Sequence, residues 1–369
     1  MSAALTEKFL AKLLGFTGAF TTIFLISGSV TDPVNTPKMV AIGVLGTSAI
    51  AVVFFTKLRV HILQYRFVLL ISLLFIIFMC ISSVSSTAPF TQVLYGSYGR
   101  NNGLLTYSFL IFLLIASLTI QNVNNFKYIV LGLVAAGLVN IIYCLWVVIF
   151  GDFISWDNPY KRILGTLGNP NFIGAFLGII FTTGLAVVLD KNIAKPFRFV
   201  ALATLPISTF EILESNAIQG RVVAAFGSVI VLFLFIRSKF NIAVLAGFSI
   251  FSITAGILAL AGALQMGPLS DYIYKTSVSL RGQYWLAGWN TGMENPFTGV
   301  GMDTFGDWYR RMRDAHALEL PGVNTVVNAA HNVPIDIFAF GGWPLFIAYR
   351  PHGMGWNFTF KNYCQKKGF

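Results

Sequence analysis

A chain of 369 residues with 56% hydrophobic side chains, only 11% charged ones and a mean hydropathy of +0.74 is not built as soluble domains, which carry about a quarter charged residues. Apolar runs of bilayer-spanning length predict a polytopic α-helical membrane protein, and the short alternating segments of a β-barrel do not occur. The net charge of +11 sits mostly in short connections, where membrane topology puts it, and gives no reason to expect nucleic acid as a partner.

Apolar runs centre on about residues 9–28, 39–56, 67–83, 104–120, 128–150, 171–189, 199–213, 222–237, 241–264 and 333–349. The expected fold class is all-α, a transmembrane bundle of about ten spans with one long extracytoplasmic loop. The first run is too long for the core of a cleaved signal and has no small-x-small site after it, so a retained first helix is expected. With the N-terminus inside, the inside connections hold most of the positive residues, among them Lys8, Lys57, Arg59, Lys127, Lys195, Arg198 and Arg237. The short outside loops hold only Lys38, Arg100, Lys161, Arg162 and Arg221. This bias predicts a cytoplasmic N-terminus and an extracytoplasmic long loop. The division is then residues 1–264 as a bundle of about nine spans, 265–332 as the loop, 333–349 as the final helix and 350–369 as a cytoplasmic tail.

Three short outside stretches stand out: LYGSYGRNNG at 94–103, GTLGNPNFIG at 165–174 and ESNAIQGR at 214–221. Asn169-Pro170 reads as a helix N-cap followed by proline in the first turn. Arg100 and Arg221 are either snorkelling interface anchors or ligands on the same face as the long loop. Cys80 and Cys144 lie in apolar spans and Cys364 in the tail, with no disulfide or metal spacing among them.

In the long loop, Arg281, Trp285 and Trp289 fall at i, i+4 and i+8, one face of a helix suited to the interface. ENPFTGVGMDTF follows as a Pro-Gly turn that no helix could run through. Arg310, Arg311 and Arg313 form a cationic cluster, either a solvated face near anionic headgroups or a docking surface for a phosphorylated lipid. His331-Asn332-Val333-Pro334 opens the last span: Asn332 fits an N-cap, Pro334 the first turn, and His331 would sit at the water interface. A helix start favours phosphate, and histidine exchanges a proton near neutrality. No D-x-D, H-E-x-x-H or clustered ligand set predicts a metal, no G-x-x-x-x-G-K-[ST] predicts ATP, and no cofactor is expected.

Taken in order, these residues resemble the O-antigen ligase and polymerase superfamily of bacterial membrane glycosyltransferases. Its C-terminal signature is similar to Arg281 and Trp285, then Pro296-Phe297-Thr298-Gly299-Val300-Gly301, then His331-Asn332 and, after nine intervening residues, Gly342. YGRNNG and GTLGNPN are also similar to stretches of many members. The resemblance implies transfer of a glycan from an undecaprenyl-pyrophosphate carrier on the periplasmic face of the inner membrane. The acceptor would be lipid A-core for a ligase, another carrier-linked repeat for a polymerase, or a protein hydroxyl for an O-oligosaccharyltransferase. It also implies Arg281 and His331 as the catalytic pair, with Arg221, Arg100, Asn332, Arg310, Arg311 and Arg313 toward the substrate, and no metal.

Two departures accompany it. Ile218-Gln219-Gly220-Arg221 replaces a Ser-Arg-Gly pattern, and Leu345 stands where a second glycine is expected. After Tyr349 the tail RPHGMGWNFTFKNYCQKKGF contains no apolar span, so an aberrant end is expected. The rival reading from another class is a transporter or flippase of lipid-linked glycans, which calls for ionisable residues along a pathway at membrane depth. Glu211, near a helix end, is the main such residue. A non-catalytic membrane scaffold would tolerate loss of Arg281 and His331.

Overall fold

The computed structural model describes residues 2–26, 32–156, 158–274 and 276–367, without the side chains of 277 and 351–367. Each of the ten apolar runs contains helix, and no strand occurs among the described residues. In chain order the principal helices are α1 (Ala3–Ile23), α2 (Asn35–Phe54), α3 (Arg66–Ser85), α4 (Leu104–Leu118), α5 (Phe126–Phe150) and α6 (Pro170–Leu189). They continue with α7 (Lys195–Glu214), α8 (Ile218–Lys239), α9 (Ile242–Ala263), α10 (Thr276–Glu294), α11 (Phe305–Met312) and α12 (Val333–Lys367).

Seven described helical stretches have the length and apolar character to cross a membrane, and the chain is a polytopic helical membrane protein. The other three expected spans are helical with reservations that the sequence explains. Helix α1 carries Glu7, Lys8 and Lys12 in its first half. Helix α4 has only 15 residues, short of the roughly 20 of a straight span. The expected span 333–349 is not one continuous helix, because Gly342 takes φ 64° and ψ −161° and breaks it. The backbone of α12 runs helical to Lys367, while Cys364 and the other side chains of the tail lie outside the described residues.

The chain divides into two compact units. The first contains residues 1–14, 42–126 and 274–369. Its core gathers Phe75, Met79, Ile111, Tyr284, Phe305, Tyr309, Phe340 and Leu345, so that α3, α10 and α11 meet around the first part of α12. Helix α10 turns Tyr284, Ala287 and Thr291 inward and leaves Trp285 and Trp289 nearly half exposed, which is the stripe expected from its spacing. Close approach of α10 to α12 depends on small residues: a Cβ on Gly292 would lie 2.4 Å from the Phe338 ring, and one on Gly288 2.6 Å from Ile335 Cγ2. Glu7 ties α1 into this unit by accepting from the Asn122 amide at 2.8 Å and from Asn125 Nδ2 at 2.8 Å.

The second unit contains residues 15–41 and 127–273. Helix α6 is its centre, packed on α7 and α8. Gly174, Gly178 and Gly220 let α6 and α8 touch backbone to backbone, since a Cβ on Gly220 would meet the Gly174 carbonyl oxygen at 2.7 Å. Asn169 caps α6 as its sequence predicts, accepting from the Asn171 amide at 2.8 Å with Pro170 in the first turn. Cys144 is buried here among Ile141, Ile173, Leu177 and Ile212.

Candidate functional site

The site in the first unit is built on the Pro-Gly turn after α10. A segment rich in proline and glycine cannot continue a helix, and here it crosses the break in α12 instead. The Val300 amide donates to the Ala339 carbonyl at 3.1 Å, the Gly301 amide to Phe340 at 3.0 Å, and the Trp343 amide to Pro296 at 2.8 Å. Two serines of α3 complete the junction: Ser82 Oγ donates to the Phe340 carbonyl at 2.5 Å and Ser86 Oγ to Val300 at 2.7 Å. Gly299 adopts φ +61°, and a Cβ there would sit 2.2 Å from the Phe340 carbonyl. The glycine spacing of the turn is therefore the imprint of one backbone lying on another.

This strap delivers Asp303, which is fully buried at φ 55°. Its carboxylate receives the Ser97 amide at 2.8 Å, the Asn102 amide at 3.2 Å and Arg100 Nε at 3.1 Å. Ser97 Oγ also donates to the Asp303 carbonyl. Burial pushes the Asp303 carboxyl up, and Arg100 and the two amides pull it back down. Three donors and no acceptor face its oxygens, the surroundings of a carboxylate rather than an acid. The glycine-rich segment 94–103 is thereby wrapped around one buried charge.

His331 stands at the entry to α12 in the left-handed region, φ 55°, a conformation in which histidine is enriched among non-glycine residues. One residue earlier, the Ala330 amide donates to Asp336 Oδ1 at 2.7 Å, so a buried carboxylate of α12 fixes the backbone leading into His331. Asn332 occupies the N-cap position through its carbonyl, which accepts the Asp336 amide at 2.8 Å. Its side chain makes no hydrogen bond to a described residue. The His331 ring lies 5.9 Å from that of Tyr284, which in turn meets Tyr309 edge-on at 5.9 Å.

The packed side of the His331 ring is desolvated, and this lowers its pKa below the ordinary imidazole value; the nearby charges of Arg100 and Arg281 lower it further. The His331 side chain is nonetheless exposed to solvent, and the direction of the shift favours the neutral imidazole. Neither its ring nitrogens nor the Arg281 guanidinium hydrogen-bonds to a described residue, and Arg100 commits only Nε. Two guanidiniums and a histidine thus share one neighbourhood in which Asp303 is taken up by Arg100 and two amides and Asp336 by the Ala330 amide. Such an arrangement leaves the Arg281 guanidinium and the terminal nitrogens of Arg100 as donors, which suit an anion of several oxygens.

The remaining expected residues lie elsewhere. Arg313 points at carbonyls of its own loop, with Nη2 on Val323 at 3.1 Å and Nη1 on Gly322 and Thr325, each at 3.4 Å. Arg311 lies over the Trp308 ring at 5.2 Å, and Arg310 is exposed. Arg313 also lies over the Tyr309 ring at 5.9 Å and so reaches His331 only indirectly, through Tyr309 and Tyr284; Arg310 and Arg311 have no direct contact with His331 among the described residues. Arg221 belongs to the second unit, where its Nη2 donates to Asn216 Oδ1 at 3.2 Å beside a groove of about 280 Å³ lined by Phe181, Thr209, Ile212 and Leu213. Among the described residues no group of His, Cys, Asp and Glu is arranged to hold a metal. Sequence reasoning passed over Asp303, Asp336 and Tyr284. Only Asp303 left a local trace, as the carboxylate directly after the glycine turn.

Residues 208–349 match the Wzy_C family, described as O-antigen ligase. That match supports the O-antigen ligase/polymerase superfamily. It covers Arg221, Arg281, the Pro296–Gly301 turn, His331 and Gly342, while Arg100 precedes it. The match supports membrane glycan ligase or polymerase activity in general terms. No curated protein and no solved structure matches the chain.

Proposed function

We propose that the protein is a metal-independent glycosyltransferase that moves a glycan from an undecaprenyl-pyrophosphate carrier to an acceptor hydroxyl on the periplasmic face of the inner membrane. The observation that carries this reading is the nearness of the Arg100 and Arg281 charges to His331, whose pKa they lower, with Arg281, the Arg100 terminal nitrogens and the imidazole making no hydrogen bond to a described residue. The family match to O-antigen ligases supplies the lipid-linked glycan as the substrate class.

In this reading the acceptor oxygen attacks the anomeric carbon as the bond to the carrier's pyrophosphate breaks. The acceptor proton passes to the free imidazole nitrogen of His331, and the departing pyrophosphate takes both bonding electrons. Arg281 and the terminal nitrogens of Arg100 hold that developing charge by charge-assisted hydrogen bonds. An arriving pyrophosphate also offsets the two arginine charges that oppose protonation of His331, so the base becomes a better proton acceptor when the donor is bound. The cytoplasmic N-terminus and the extracytoplasmic placement of 265–332 follow from the positive-residue bias.

The test is glycan profiling of a deletion strain complemented with wild type, His331→Ala or Arg281→Ala, with membrane levels matched by immunoblot. Wild type restores a glycan product and both variants restore none. Absence of all long chains from the surface acceptor marks a ligase, and single-repeat products mark a polymerase. Full complementation by both variants would remove the catalytic assignment and favour a transporter or scaffold.

A further inference from the structure

The segment that presents Arg100 lies 203 residues from Asp303 in sequence, yet four of its donors are directed at that one residue. Ser97 contributes its amide and its hydroxyl, Asn102 its amide and Arg100 its Nε. Asp303 is fully buried, while the Arg100 side chain keeps 23% of its surface exposed. A guanidinium whose Nε is held by a buried carboxylate is restrained in orientation, and its Nη nitrogens are left for another acceptor.

We propose that Asp303 is the positioning residue for anion binding: it locks Arg100 by its Nε edge so that both Nη nitrogens face the pyrophosphate site beside His331. This rests on the reading of Arg100 as an anion ligand given above. Arg100 precedes the matched family region and Asp303 lies inside it, so the bond ties a loop of the first half of the chain to the family's turn. Asparagine cannot substitute at 303. Its single carbonyl oxygen can serve either the guanidinium or the two amides, and its NH2 group would oppose whichever donors are left.

The experiment uses the full chain purified in detergent, with inorganic pyrophosphate as the probe in a titration followed by a thermal-shift or fluorescence readout. The variants are Asp303→Asn, Arg100→Ala, their double mutant and Arg100→Lys. Loss of a hydrogen-bonded charge predicts that Asp303→Asn weakens pyrophosphate binding about ten- to a hundredfold. The double mutant binds no more weakly than Arg100→Ala alone, because Asp303 acts only through the arginine. Arg100→Lys keeps the charge and the three other bonds to Asp303, so it tests orientation even where Asp303→Asn does not fold; it too loses most of the affinity.

If Arg100→Ala weakens binding while Asp303→Asn or Arg100→Lys does not, the positioning role is overturned and the anion site stands. Additive effects in the double mutant likewise overturn it. If Arg100→Ala leaves affinity unchanged, the anion reading of Arg100 falls and the positioning role falls with it.

Discussion

The break in α12 at Gly342 gives the most direct test of the architecture around the site. Gly342 adopts φ 64° and ψ −161°, a region that only glycine populates without strain. A Cβ at this position would lie 2.3 Å from the Pro296 carbonyl oxygen and 2.6 Å from its carbon. Both are backbone atoms, so no side-chain rotation relieves the contact. Gly342→Ala therefore carries a conformational cost of about 1–3 kcal/mol and forfeits the Trp343-to-Pro296 hydrogen bond of 2.8 Å, worth about 1 kcal/mol. The total is on the order of 3 kcal/mol. Gly282→Ala is the internal control, because Gly282 sits in helix α10 with nothing within 4 Å of its added Cβ. There alanine favours the helix and stabilises by about 0.5–1 kcal/mol. Thermal unfolding in detergent, read by tryptophan fluorescence, should show Gly342→Ala several degrees below wild type and Gly282→Ala at or above it. Equal midpoints for the two variants would refute the claim that the turn forces the break.

Three further outcomes follow from the same geometry. Because His331 is held below the ordinary imidazole value by burial, Arg100 and Arg281, transfer activity should rise with pH through that lowered pKa and be flat at neutrality; Arg281→Gln removes one opposing charge and should move the acid limb to higher pH in whatever activity survives. Ser82→Ala deletes the 2.5 Å bond to the Phe340 carbonyl but leaves that carbonyl the Gly301 amide, so a stability loss of only about 1 kcal/mol is expected in the same unfolding assay. Arg313→Ala releases three carbonyls of residues 322–325 and should expose this loop to limited proteolysis, whereas the exposed Arg310→Ala should leave the cleavage pattern as in wild type.

What the sequence made legible follows from the range over which each signal acts. Apolar length is a property of one segment, and each of the ten apolar runs contains helix because an isolated span must satisfy its own backbone hydrogen bonds. The Asn169 cap was legible for the same reason: the cap and the amide it receives are two residues apart. Gly342 was not. Hydropathy counts a glycine inside an apolar run as part of the run, and nothing local records that a proline carbonyl 46 residues earlier occupies the space its Cβ would need. Asn332 shows the limit of reading a cap by residue type. Its position was right, but the carboxylate that fixes the entry to α12 is Asp336, reaching back to the Ala330 amide. Arg100 illustrates the largest gap. A single arginine beside a membrane helix reads equally well as an interface anchor or as a ligand, and the choice depends on whether a buried partner holds it. That partner, Asp303, lies in another loop entirely, so the bond that holds Arg100 is visible in neither segment alone.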